Sequence, residues 1–342
     1  MKKLHVAVLI SALALSGCAT PVDKTDGPTA SPGATETAPP EQQRETGLTR
    51  PALVFDGDCA QVFSDAELAS IAGAGLALGP NHFTEMWGGD ALFNQKGGFE
   101  CTWQSAGARV IALVLPEAAV SYTPQVSDCS TDGHDGPDAY NCTLEAVVNG
   151  IRLSGIASIG QDQAAAVGAR DALLAIFTDK ANQQQPVPVP LPAAGSWVLP
   201  PDCMAVADAA DFSAIPGLGA GAAAAEIGYG KTVSQAEGAL VSGWRTLSCY
   251  LVGESANIEF IPLGGARWRE ADVAALAGAS VLPLDGVESA YSVPYENQNG
   301  DSLNIVYAFS GPNMLMFTVR YTKNAGPIAT AFFASLDATA VS

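Results

Sequence analysis

The sequence predicts an α+β protein of two similar domains, each an antiparallel sheet with helices packed on one face. Three observations lead there. The second half of the chain overlays the first at an offset of 144 positions, the separation of Cys59 from Cys203. Each half carries two strand-like apolar runs parted by a turn signal. Each half then ends in a helix with an apolar stripe. Runs of strands with helices at their ends, rather than strict alternation, mark the α+β class. A chain of 342 residues suits two ordinary domains, and with 48% hydrophobic and 15% charged residues each can bury a core.

The chain opens with Lys2 and Lys3 and then an apolar stretch from Leu4 to Leu15. That stretch suits the core of a signal peptide and falls short of the roughly 20 residues a spanning helix takes. It runs into Leu15-Ser16-Gly17-Cys18. This resembles the lipobox of bacterial lipoproteins, which implies a signal peptide over 1–17, cleavage before Cys18 and a diacylglyceryl group on the Cys18 thiol. Two acyl chains suffice for stable anchoring. Residues 18–50 read as a lipidated Cys and a Thr/Pro/Ala/Gly/Glu tether, too poor in large apolar groups to fold. Its reach as a flexible coil is about 30 Å.

The first domain is placed at 51–181. Ser64 to Glu67 reads as a capping box, with Phe63 and Leu68 set as a hydrophobic staple and Gly73 as the helix stop. A Gly/Ala-rich stretch leads to Cys101-Thr102-Trp103 and a strand-like run from Val110 to Leu115. Asn149-Gly150, between Leu144–Val148 and Ile151–Ile156, is a strong type I′ hairpin signal. The closing helix carries Val167, Leu174 and Phe177 as its stripe. Residues 182–195, with Pro186, Pro188, Pro190 and Pro192, read as a stiff extended linker.

The second domain, 196–342, repeats the order. Val54, Asp58, Cys59, Val62, Ile71 and Gly73 fall on Val198, Asp202, Cys203, Val206, Ile215 and Gly217. Asp208 and Asp211 stand where the first half has its cap, and Phe212 stands for Leu68. Cys249-Tyr250-Leu251 matches Cys101-Thr102-Trp103, the run Ile258–Ile261 matches Val110–Leu115, and Ala290-Tyr291 matches Ala139-Tyr140. Gly311-Pro312-Asn313 parts Leu303–Phe309 from Met314–Arg320, and Ile328, Phe332 and Leu336 form the last stripe.

Of seven cysteines, Cys18 goes to lipid and six remain, an even number suited to disulfides in an exported chain. If each repeat closes on itself, Cys59 pairs with Cys101 and Cys203 with Cys249, leaving Cys129 to pair with Cys142.

Lys plus Arg is 16 against 35 Asp plus Glu, a formal net charge of −19, which excludes the basic face that nucleic-acid binding needs. Anionic headgroups repel such a body, so the expected membrane contact is the lipid alone. The loop holding Asp128, Asp132, His134, Asp135 and Asp138 has the oxygens for a hard cation but not the EF-hand order, and reads as an exposed turn with no metal. His82 lies near Glu85 and Asp90, yet GxSxG, SxxK and HExxH are all missing from the sequence, so no catalytic residue and no cofactor are assigned. Phe83, Met86 and Trp87 in the first long loop, with Tyr229 and Trp244 in the second, are the candidate surface for a ligand or partner.

The pattern Asp58-Cys59, Gly73, Cys101 and Trp103, repeated as Asp202-Cys203, Gly217 and Cys249 with Tyr250 adjacent, follows a lipobox and a Thr/Pro tether. In this it resembles a family of small, mostly uncharacterised envelope lipoproteins of actinobacteria. The resemblance implies an extracytoplasmic α+β domain without known catalysis. The expected function is a lipid-anchored binding or scaffold module for an envelope partner, on the outer face of the cell membrane. The alternative is a carrier or sensor of a small apolar ligand held between sheet and helices, and a hydrolase-type enzyme comes third.

Overall fold

The computed structural model describes residues 48–73, 75–79, 89–122, 129–131, 140–159, 162–198, 223–226, 249–252, 257–296, 300, 302–319 and 324–337. The first half begins with two short helices, α1 (Cys59–Val62) and α2 (Asp65–Ala72). Asp58 caps α1 by accepting from the Ala60 N–H at 2.9 Å. Ser64 and Glu67 make the expected capping box, Glu67 accepting from the Ser64 N–H at 2.7 Å. Phe63 and Leu68 both lie in the core, and Gly73 ends α2 at φ +77°.

The sheet of this half comprises β1 (Ala77–Leu78), β2 (Phe99–Gln104), β3 (Arg109–Pro116), β4 (Asn141–Val148) and β5 (Ile151–Ser158). All neighbours are antiparallel, in the order β1-β2-β3-β5-β4. A short helix, α3 (Gly89–Asn94), precedes β2, and a long one, α4 (Gln163–Ala181), follows β5. Asn149 and Gly150 both take positive φ, +51° and +71°, as a type I′ turn demands.

The second half repeats this plan with β6 (Ala223–Glu226), β7 (Cys249–Val252), β8 (Asn257–Leu263), α5 (Glu270–Ala274), β9 (Ser280–Val281), β10 (Ser289–Glu296), β11 (Ser302–Ser310), β12 (Asn313–Val319) and α6 (Ala325–Asp337). Its order, β6-β7-β8-β12-β11-β10-β9, is the first sheet's order with two strands added beyond the hairpin. The fold is therefore α+β, with two antiparallel sheets of matching topology.

Three details differ from the sequence reading. Tyr140 leads directly into β4, whereas Ala290 and Tyr291 sit inside β10, so the two Ala-Tyr pairs are not equivalent. Among the described residues, the first half has at the corresponding edge an isolated bridge, Ser130 to Asn141, beside the Cys129–Cys142 disulfide. The stripe of α4 is rotated: its buried line is Ala166, Ala169, Leu173, Phe177 and Ala181, with Leu174 only partly buried. Small alanines let the helix approach the sheet, so side-chain size misleads about the facing edge. In the second hairpin the register Ser310–Asn313 leaves only Gly311 and Pro312 in the turn.

One face of each sheet packs on helices. Val110, Ala112, Leu144 and Leu153 meet Phe63, Leu68, Leu173 and Phe177 in the first half. Phe260, Val306, Leu315 and Phe317 meet Ile328, Phe332 and Leu336 in the second, where the tilted rings of Phe260 and Phe332 lie with centroids 4.1 Å apart. The opposite face is covered too. Leu92 and Phe93 of α3 lie on Leu113 and Leu115, while Ala91 joins the cluster of Ile261, Tyr307, Phe309 and Met316 on the second sheet. The Arg50 side chain spans the same seam: it donates to Asn94 Oδ1 at 2.9 Å and lies 5.1 Å over the Trp268 ring.

The Pro-rich segment is held along its length. Asn149 donates to the carbonyls of Ala181 and Gln184, Val187 packs on the first core, and Pro190 approaches Gly97 closely. At its far end Trp197 packs against Phe333 at 5.1 Å and donates from its ring N–H to Asp337 at 2.8 Å.

Candidate functional site

Two of the three expected disulfides lie among the described residues. Cys59 joins Cys101, tying α1 to β2 across a sequence separation of 42, and Cys129 joins Cys142 across 13. Cys249 lies in β7 opposite Phe260, and its expected partner Cys203 lies outside the described residues. So do Cys18, His82, Glu85, the loop residues Asp128, Asp132, His134, Asp135 and Asp138, and the whole aromatic set Phe83, Met86, Trp87, Tyr229 and Trp244. Asp90 falls in α3. No helix among these residues is long and apolar enough to cross a membrane.

A different constellation stands on the face of the first sheet that turns away from α4. Side chains alternate along a strand, so with Leu144 and Leu153 facing the helices, Glu145, Arg152 and Ser154 point the other way. Glu145 and Ser154 are direct cross-strand partners, and the Ser154 hydroxyl donates to Glu145 Oε1. Tyr122, on the segment after β3, donates to Glu145 Oε2 at 2.9 Å and reaches Ser154 Oγ at 3.3 Å. Burial raises the Tyr122 phenol to about 12, with the Glu145 carboxylate adding to the rise, so it stays protonated and a donor. Burial also raises the Glu145 carboxyl, against the opposing pull of Ser154, Tyr122 and Arg152.

Arg152 completes the group. It is 3% exposed, and its guanidinium lies 4.3 Å from the Tyr122 ring centroid. Its Nε and Nη1 are buried and have no hydrogen-bond partner among the described residues. Stacking uses the flat face of a guanidinium, whereas its N–H donors point outward in the plane, so the ring leaves them unengaged. The arrangement offers a fixed cation with open in-plane donors, beside a carboxylate whose two oxygens are both engaged.

The sequence held a faint signal for this cluster. Glu145, Arg152 and Ser154 recur at period two around the Asn149-Gly150 turn, which ordinarily marks a water-facing strand face. Here that face is roofed by Leu92, Phe93, Val120 and Tyr122, so the polar residues are enclosed. The second sheet encloses a carboxyl in the same way. Glu259 on β8 is raised to about 8 by burial, while its backbone N–H donates to Thr318 Oγ1 at 3.2 Å.

These features define the class of protein: an α+β chain of two topologically matched sheets, stapled by disulfides, with enclosed polar groups on the sheet faces remote from the long helices. Comparison with protein-family models, curated proteins and solved structures finds no match.

Proposed function

We propose that this chain is a lipid-anchored extracytoplasmic lipoprotein that serves as a binding or scaffold module for an envelope partner, of the kind found in actinobacterial envelopes. The observation that carries the reading is the disulfide pair, Cys59–Cys101 and Cys129–Cys142. Such bonds persist in oxidising compartments outside the cytoplasm. The lipobox-like Leu15-Ser16-Gly17-Cys18 after Lys2 and Lys3 supports export with a lipid on Cys18, and the net charge of −19 supports attachment through lipid rather than through a basic face. A carrier of an apolar ligand between sheet and helices has less support. In the first half that space is filled by Phe63, Trp103, Leu173 and Phe177, none more than 1% exposed.

The anchor is tested by metabolic labelling with palmitate: the parent incorporates label and Cys18→Ala does not. Equal labelling of both defeats the reading, as does a chain that stays in the cytosol with free thiols. The partner is tested by crosslinking in intact cells, extraction in mild detergent and mass spectrometry. A specific envelope protein is expected in the adduct, and recovery of the chain alone overturns the binding role.

A further inference from the structure

The Arg152 cluster belongs to neither the anchor nor the disulfide framework, and a buried guanidinium with open donors requires a physical account. Burying a charged group without hydrogen bonds is costly, and such groups in native proteins generally have a partner. Glu145 attracts the cation electrostatically, but neither Nε nor Nη1 of Arg152 has a hydrogen-bond acceptor among the described residues, while Glu145 accepts from Ser154 at Oε1 and from Tyr122 at Oε2. The Tyr122 ring satisfies the face of the cation and not its edges.

We propose that Arg152 is the anchor of a binding site for a small monocarboxylate on the enclosed face of the first sheet. A carboxylate meets a guanidinium in its plane, and one of its oxygens can accept from the Nε–H edge or from the Nη1–H edge, both of which are open among the described residues. A single negative charge balances the cation, whereas a dianion would face Glu145 in an already acidic protein. Leu113 and Leu115 on the neighbouring strand, with Val120 and Tyr122, give the carboxylate an apolar surround that strengthens the ion pair. Arg152 lies directly across from Leu115 in the β3–β5 register. Tyr122 beside the guanidinium is half-buried, and its hydroxyl is held by Glu145 and Ser154. The site is independent of the partner-binding reading and stands or falls separately.

The test uses the full chain with arginine side chains labelled with nitrogen-15, titrated with sodium acetate, with sodium chloride at matched ionic strength as control. The Arg152 Nε–H resonance, assigned by its loss in Arg152→Lys, is expected to move downfield saturably with acetate and not with chloride. Glu145→Gln removes the neighbouring charge and should tighten acetate about fivefold. Arg152→Lys keeps the charge but loses the planar in-plane donors, and should weaken the acetate-dependent rise in melting temperature about tenfold in midpoint concentration. No movement with acetate, equal movement with chloride, or unchanged affinity in a folded Glu145→Gln each overturns the site. If Arg152→Lys fails to fold, the titration of the parent and of Glu145→Gln still decides, with the resonance assigned by its proximity to the Tyr122 ring.

Discussion

The side-chain amide of Asn313 donates to the carbonyl of Gly195 at 2.9 Å, although 118 residues separate them. Its carbonyl oxygen accepts from the Trp197 N–H at 3.0 Å and the Gly265 N–H at 3.3 Å. The first hairpin has a counterpart: Asn149 donates to the Gln184 carbonyl at 2.7 Å. One asparagine at each hairpin turn therefore grips one end of the proline-rich segment, and the segment acts as a strap rather than a free spacer.

Replacing Asn313 should be the more damaging of the two changes. Asn313 is 2% exposed, so Asn313→Ala leaves two N–H donors and one carbonyl unpaired in a buried place. A loss of about 3 kcal/mol is expected. Asn149 is exposed and Asn149→Ala should cost about 1 kcal/mol, partly through its φ of +51°. Urea denaturation of the two variants measures both, and limited proteolysis should open the 193–197 end of the strap first in Asn313→Ala.

The two disulfides should differ in worth. On the chain-entropy account, the Cys59–Cys101 bond, closing a separation of 42, contributes about 4 kcal/mol, and the Cys129–Cys142 bond, closing 13, about 3 kcal/mol. Paired Cys→Ser variants under denaturation check the order. The shorter loop also sustains the bridge from Ser130 to Asn141. Its loss should therefore expose the Asn141 amide to hydrogen exchange while leaving the β3–β5 pairing protected.

Gly155 has a steric reason to be glycine. A Cβ there would lie 2.0 Å from the backbone oxygen of Ile111 on the adjacent strand. Backbone cannot move aside as a flexible side chain can, so Gly155→Ala should destabilise by about 3 kcal/mol, at the upper end of overpacking costs. Thermal unfolding measures it. Gly168, whose added Cβ meets nothing nearby, is the control and should tolerate alanine without loss.

Much of this fold was legible from local chemistry. The Ser64–Glu67 cap and the Asn149-Gly150 turn each rest on interactions a few residues apart, which a sequence displays directly, and the repeated order of elements shows when the halves are overlaid. The pairing of Cys59 with Cys101 came from comparing the halves. What stayed hidden depends on distant neighbours. Whether the face bearing Glu145 and Arg152 meets water or a roof is decided by Leu92, Phe93 and Tyr122, all more than twenty positions away in the chain. The facing line of α4 was misjudged because Ala166, Ala169 and Ala181 bury the helix as effectively as larger residues do. Asp58 entered the sequence pattern only as a neighbour of Cys59, and its role as the cap of α1 follows from the geometry.

Stability should fall at both ends of the pH range, for opposite reasons. The Glu67 carboxyl is pushed up by burial, but Lys180 at 2.6 Å and hydrogen bonds from Ser64 outweigh that and hold it below its ordinary value. The Gly311 N–H and Arg267 do the same for Glu288. Groups depressed in the folded state contribute stability that is present above the unfolded value of 4.5 and is lost as pH drops through the folded value. Glu259 behaves inversely. Burial raises it from 4.5 to about 8, so between these values the folded chain holds a proton that the unfolded chain releases. Stability must then decline as pH climbs from 4.5 toward 8, and level off above. Glu259→Gln keeps the shape and the hydrogen-bonding capacity of the protonated acid but cannot ionise. It should flatten the stability curve across that interval and make the variant more stable than the parent at pH 8, while leaving the acid limb set by Glu67 and Glu288 in place. Urea midpoints for parent and variant at pH 5, 6.5 and 8, in about 0.1 M salt to keep screening constant, measure this directly. Parallel curves would show that Glu259 is ionised and solvated in the folded chain.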